Sequence, residues 1–196
     1  MHLLFLDTET GGLNPVEDAL LTIHMSLRNS DLEELTFLDV KIHPGNRNIN
    51  PHAMAVNQIN LYEHNKEALN SHEAATLVTD YLKKSKAMSP GGMAVVAHYV
   101  EFDLGFMTQL LPTFRGGYGR GSICTRVLAT TMMAGGYMVS KNASLQEVRQ
   151  ALGIEIEATA HDARGDVLVC VEIMRHIFNS FRSAERGRTY RAESRL

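Results

Sequence analysis

The chain has little cysteine. Cys124 and Cys170 are the only two in 196 residues, and they make no CxxC pair. That excludes a thiolate zinc site and a disulfide framework, suits a reducing compartment, and leaves both as small buried apolar residues. No apolar run approaches the roughly 20 residues that span a membrane, and no basic segment with a long apolar core opens the chain. The sequence therefore reads as cytoplasmic. The glycines of "RGGYGRGS" (115–122) lack the Lys-Ser/Thr of a phosphate loop and the spacing of a dinucleotide fingerprint. His2, His24, His43, His52, His64, His72, His98 and His176 form no HxxxH or HExxH ligand pattern, so structural or surface roles suit them.

Net charge is also small, at −3, but it is uneven. Residues 182–196 carry five arginines against Glu185 and Glu193, a net of +3 against −6 for the remainder. Such a tail either touches phosphates or is a solvated, frayed end. Arg115, Arg120, Arg126 and Arg164 are further candidate phosphate contacts, with exposed solvated residues as the alternative. The rest, 44% hydrophobic and 21% charged, is ordinary globular composition, long enough for one well-cored domain.

The first third predicts three strands in an antiparallel meander: "HLLFLD", "ALLTIHMSLRN" with Leu21, Ile23, Met25 and Leu27 on one face, and "ELTFLDVKIHP". Helical patterns follow at "PHAMAVNQI" and at "SHEAATLVTDYLKKS", with Ser71 as its N-cap. "MAVVAH" reads as a buried strand and "FDLGFMTQLL" as a helix closed by Pro112. The glycine-rich segment reads as a flexible connection before "ICTRVLATTMMA", a short strand leading into a helix. "SLQEVRQALG" is a helix with Ser144 and Glu147 as a capping box and Gly153 as its stop. "ARGDVLVCVEIMRHIFNSF" is the last, with Val167, Val171, Met174 and Phe178 along one stripe. The division is one α/β domain, 1–181, and a basic tail, 182–196.

In "LLFLDTETGG" a buried strand runs into Asp7 and Glu9, whose alternation puts both on one face, close enough to repel. A DxE at a strand end is commonly just a solvated edge. Here, however, Asp103 follows another buried strand in "AHYVEFD", and in "HDARGDV" His161 precedes Asp166 by five positions at the start of an apolar helix. Four carboxylates and a histidine thus sit at three element junctions. Hard oxygen donors without cysteine favour magnesium or manganese, and packed carboxylates need cations to neutralise them. Two ions about 3.5 to 4 Å apart can clamp a phosphate and activate water, and a nearby histidine can take the proton.

These motifs resemble the DEDDh exonuclease superfamily. "FLDTETGGL" matches its first motif, "AHYVEFD" its second and "HDARGD" its third, and "INPHAMAVNQI" is similar to the segment between the third strand and the next helix. The resemblance covers roughly residues 2 to 180. It implies a ribonuclease H-like fold, a mixed five-stranded sheet flanked by helices. It also implies a 3′-to-5′ exonuclease using two Mg²⁺ or Mn²⁺ ions, with Asp7 shared, Glu9 and Asp166 completing one site, Asp103 holding the second ion, and His161 as general base. Thr10 and Leu13 match positions that contact the terminal nucleotide, and Phe102 lines the same pocket; for Leu13 and Phe102 the alternative is core packing.

One departure is Tyr99, where many relatives have asparagine. It either stacks on a base or is a buried tyrosine with a satisfied hydroxyl. The implied partner is a single-stranded DNA or RNA 3′ end, DNA slightly favoured. An RNA-trimming exoribonuclease and a non-catalytic binding or assembly module are the alternatives. A polymerase or other replication protein and a homodimer are left open as protein partners.

Overall fold

A computed structural model describes residues 1–114, 119–156 and 162–193. Its five strands are β1 (His2–Thr10), β2 (Leu20–Arg28), β3 (Glu34–Lys41), β4 (Met93–Ala97) and β5 (Gly119–Cys124). They form one sheet in the order β3-β2-β1-β4-β5. The first three pair antiparallel, as the short connections require, while β4 joins β1 and β5 joins β4 in parallel. The sheet is therefore mixed and five-stranded, with β1 at its centre.

The helices are α1 (Pro51–Asn57), α2 (Leu61–Asn65), α3 (Ser71–Met88), α4 (Val100–Leu110), α5 (Thr125–Ala134), α6 (Leu145–Ala151) and α7 (Ala163–Glu193). Alternation along β1 divides the core. Leu4 and Leu6 face a cluster with Val78, Tyr81, Leu104 and Phe106 of α3 and α4. Leu3 and Phe5 face another with Val148 of α6 and Val167, Val171 and Met174 of α7. Among the described residues, no helix is long and apolar enough to cross a membrane.

Four local expectations change. The cap of α3 is Asn70 rather than Ser71: its side chain accepts from the backbone N–H groups of His72 and Glu73, and Glu73 bonds back to the Asn70 N–H. The glycine-rich connection is partly a strand, because Gly119–Ser122 belong to β5, where β4 supplies an edge to pair with. β1 runs three residues past Asp7, so both acids lie within the strand. The helix α7 continues through Glu193, past the end at Phe181 that its apolar stripe suggested, and Arg182 bonds Asp31 at 3.3 Å.

Candidate active site and nucleotide pocket

The acids gather at the C-terminal ends of the parallel strands. Asp7 and Glu9 alternate with Thr8 and Thr10 on β1, and register shifts between Glu9 and Thr10, an irregularity typical of strands that re-aim side chains at a site. On α7 the apolar stripe fixes the third acid: Val167 is fully buried, and Asp166 directly before it is held in the first turn. Carboxylate oxygens of Asp7, Glu9 and Asp166 all lie within 4.8 Å of one another. Asp103, in the first turn of α4, is buried and accepts a hydrogen bond from the Thr8 hydroxyl at 2.9 Å.

Burial, the proximity of Asp166, and the carboxylates of Asp162 and Asp103 raise the Glu9 pKa from 4.5 to about 8. Burial raises Asp103 to about 7 against the opposing hydrogen bond from Thr8. Asp7 is driven well above the carboxylate range by burial, then by Asp103, Asp166 and Glu9. A group of acids that resist ionising together fits divalent cations, and the all-oxygen donor set fits hard ones.

Asp162 is the acid that sequence reasoning passed over. It sits beside the cluster, raises both Asp7 and Glu9, and its carbonyl accepts from the Asp166 N–H at 3.0 Å. Its place directly after His161 in "HDARGD" was the available signal. His161 and Arg115 lie outside the described residues.

Next to Glu9 a cavity of about 290 Å³ is lined by Thr8, Thr10, Leu13, His52, Val56 and Phe102 among others. Its outer wall is α1, pinned to the end of β1 at both ends. The Asn50 N–H bonds the Gly11 carbonyl at 2.6 Å, and the Asn57 side-chain amide bonds the Thr10 carbonyl at 3.1 Å. Gly11 is required for this approach, since a Cβ there would meet the Asn48 carbonyl oxygen at 2.7 Å. The Thr10 hydroxyl donates to the Gly12 carbonyl at 2.6 Å, steadying the turn that carries Leu13.

Leu13 is 83% exposed, so core packing does not account for it. Phe102 is half-buried, packing against Phe106 below while lining the cavity above. Tyr99 is 54% exposed, which rules out a buried tyrosine. His52 and Val56 were missed, because only the folding of α1 over the strand end brings them to the cavity.

His24 and His98 make contacts within the fold. His24, opposite Asp7 across β1 and β2, bonds the Asp39 carboxylate through Nδ1 at 2.5 Å. His98 bonds the Thr125 hydroxyl at 3.0 Å and the Ala143 carbonyl at 2.9 Å, and burial lowers its pKa.

The RNase_T exonuclease family matches residues 4–174, a span that includes all three acid-bearing motifs. The chain belongs to this exonuclease family. Ribonuclease T of Shewanella denitrificans is 26% identical over 185 residues, 91% of this chain and 80% of that protein. Ribonuclease T of Shewanella sp. strain ANA-3 is 32% identical over 112 residues, 54% of this chain and 50% of that one. Among solved structures, E. coli exonuclease I in complex with a dT13 oligonucleotide superposes with a TM-score of 0.75 at 16% identity. That alignment covers 90% of this chain and 40% of the exonuclease. Exonuclease I of Methylocaldum szegediense gives 0.72 at 18% identity over 89% and 39%. The fold is the ribonuclease H-like one shared with these exonucleases, and this chain spans about two fifths of their length.

Proposed function

We propose that this member of the family is a 3′-to-5′ exonuclease that removes nucleoside 5′-monophosphates from single-stranded ends. The observation that carries the reading is the convergence of Asp7, Glu9 and Asp166 within 4.8 Å beside a cavity of about 290 Å³. Asp7, Glu9 and Asp166 would hold one Mg²⁺ or Mn²⁺, with Asp7 shared and Asp103 holding the second. Ions held there would neutralise the acids and would supply a lowered pKa for the attacking water and compensation of the charge on the leaving oxygen.

The chain's own groups do the rest. Thr10, Leu13 and Phe102 grip the terminal nucleoside, and Tyr99 extends their surface outward. The Thr8 hydroxyl holds Asp103 in place, and His161 takes a proton from the attacking water as general base. DNA is placed ahead of RNA, in keeping with the dT13 bound by E. coli exonuclease I. The ribonuclease T relatives support the RNA-trimming alternative. The proposal needs neither a polymerase partner nor a homodimer.

The test is incubation with 5′-labelled single-stranded DNA and RNA of one sequence, with Mg²⁺ or Mn²⁺, beside Asp7→Ala and chelator controls. A ladder shortening from the 3′ end, absent from both controls, is the expected result, and the faster strand identifies the sugar. Binding without shortening would support the non-catalytic module instead.

A further inference from the structure

Tyr99 is an odd residue for its position. It is the N-cap of α4, where serine, threonine, aspartate or asparagine would satisfy the first N–H groups, and it makes no side-chain capping bond. Its ring is more than half exposed. It lies nearly parallel to Phe102, at 9° with centroids 6.4 Å apart, and Phe102 lines the terminal-nucleotide cavity. The Arg126 guanidinium rests over the Tyr99 ring as a cation–π contact, its carbon 5.0 Å from the ring centroid. From the cavity outward, the surface therefore runs Phe102, Tyr99, Arg126.

The backbone fixes this order. β4 and β5 are parallel with Ala97 opposite Cys124, so the residues after each strand emerge side by side. The Arg126 N–H bonds the His98 carbonyl at 3.0 Å, and the His98 ring bonds the Thr125 hydroxyl, joining the two strand ends beneath Tyr99 and Arg126. Lys41, Lys66 and Arg175 each pair with a carboxylate. Among the described residues no carboxylate pairs with the exposed Arg126. A ring capped by a guanidinium that has no carboxylate partner among the described residues matches one nucleotide of a single strand: when the guanidinium moves from the ring to a phosphate, the face it covered is free for a base of any identity.

We propose that Tyr99 and Arg126 form a subsite for the second nucleotide from the 3′ end, Tyr99 stacking on its base and Arg126 holding its phosphate. The inference rests on the exonuclease reading and adds to it a binding position outside the terminal pocket. A base held in a duplex cannot offer its face in this way, so the subsite favours unpaired ends.

The test uses 5′-labelled single strands, one intact and one with a single abasic nucleotide second from the 3′ end. On the intact strand, Tyr99→Ala should raise KM about 10-fold, the loss of one base–aromatic stack, with kcat held. Tyr99→Phe, which keeps the ring, should restore the parent's KM. On the abasic strand the parent and Tyr99→Ala should have the same KM. Arg126→Gln should raise KM on both strands and reduce its dependence on salt. An equal Tyr99→Ala penalty on both strands, or a fall in kcat in place of a rise in KM, would overturn the subsite while leaving the exonuclease intact. A parent protein that shortens no strand would overturn the exonuclease reading and the subsite with it.

Discussion

The two halves of β1 share one extended backbone and contribute to stability with opposite signs. Leu3, Leu4, Phe5 and Leu6 are 3, 0, 0 and 0% exposed, and full burial of such side chains stabilises by about 1.5 to 3 kcal/mol each. Asp7 and Glu9, continuing the same strand, are pushed toward protonation by burial and by one another's neighbours. The apolar half supplies the rigidity that the acidic half spends. Helix α7 repeats the arrangement, its buried Val167, Val171 and Met174 delivering Asp166 to the cluster.

Asp7→Ala should separate the halves most sharply. It removes the acid placed at the centre of the cluster, and activity should fall about 10³-fold or more, several kcal/mol of cation-supplied stabilisation at about 1.4 kcal/mol per tenfold. Thermal melting in chelator should show no loss of stability; a clear drop in Tm would mean that Asp7 supports the fold. Phe5→Ala, two residues earlier on the same face, should do the reverse. It should cost about 3 to 5 kcal/mol in denaturant unfolding through the cavity left in the core, while the folded fraction keeps its catalytic rate.

His161→Ala comes next. It should slow hydrolysis about 10²-fold and leave metal affinity unchanged, read by single-turnover kinetics beside calorimetric titration of Mn²⁺. Thr8→Val should then weaken metal binding about 10-fold or more by releasing Asp103 from its hydroxyl donor, with little change in Tm. An unchanged Mn²⁺ titration would remove Thr8 from that positioning role.

The gentlest perturbation is pH. Asp103 and Glu9 have folded-state pKa values near 7 and 8, above their unfolded values of 3.8 and 4.5. The metal-free folded protein therefore retains protons that the unfolded chain has released. Their contribution to stability is complete below the unfolded values and is lost as pH rises through about 7 and then about 8. His98 runs the other way. Its folded pKa lies below 6.5, so its contribution is present above that value and lost as pH falls through the folded one. In chelator, Tm should decline between pH 6 and pH 9 by several degrees, and saturating Mg²⁺ should flatten the decline. A decline of equal slope with Mg²⁺ would place its cause outside the acid cluster.

Much of this was legible in the chain. Period-two alternation identified β2 and its buried face, and the order of Asp7, Glu9, Asp103, His161 and Asp166 at element junctions pointed to the chemistry. Other features had no local signature. Gly119–Ser122 carries few strand-forming residues and joins the short strand expected at Ile123 only because β4 offers an edge. Ser71 and Asn70 are both competent caps, and the reciprocal bond with Glu73 selects Asn70. Tyr99 as an exposed ring and His52 as a cavity wall both depend on neighbours distant in sequence.

The sequence by itself determined which residue types are candidates for the chemistry and that they follow apolar stretches of strand or helix, because periodicity is a local property of those elements. The tertiary structure decided which of them meet. Bringing Asp166 within 4.8 Å of Asp7 and Glu9, laying α1 over the end of β1, and setting Arg126 beside Tyr99 all depend on how the strands pair and the helices pack. Those contacts join segments far apart in the chain, and only the cooperative burial of both faces of the sheet fixes them.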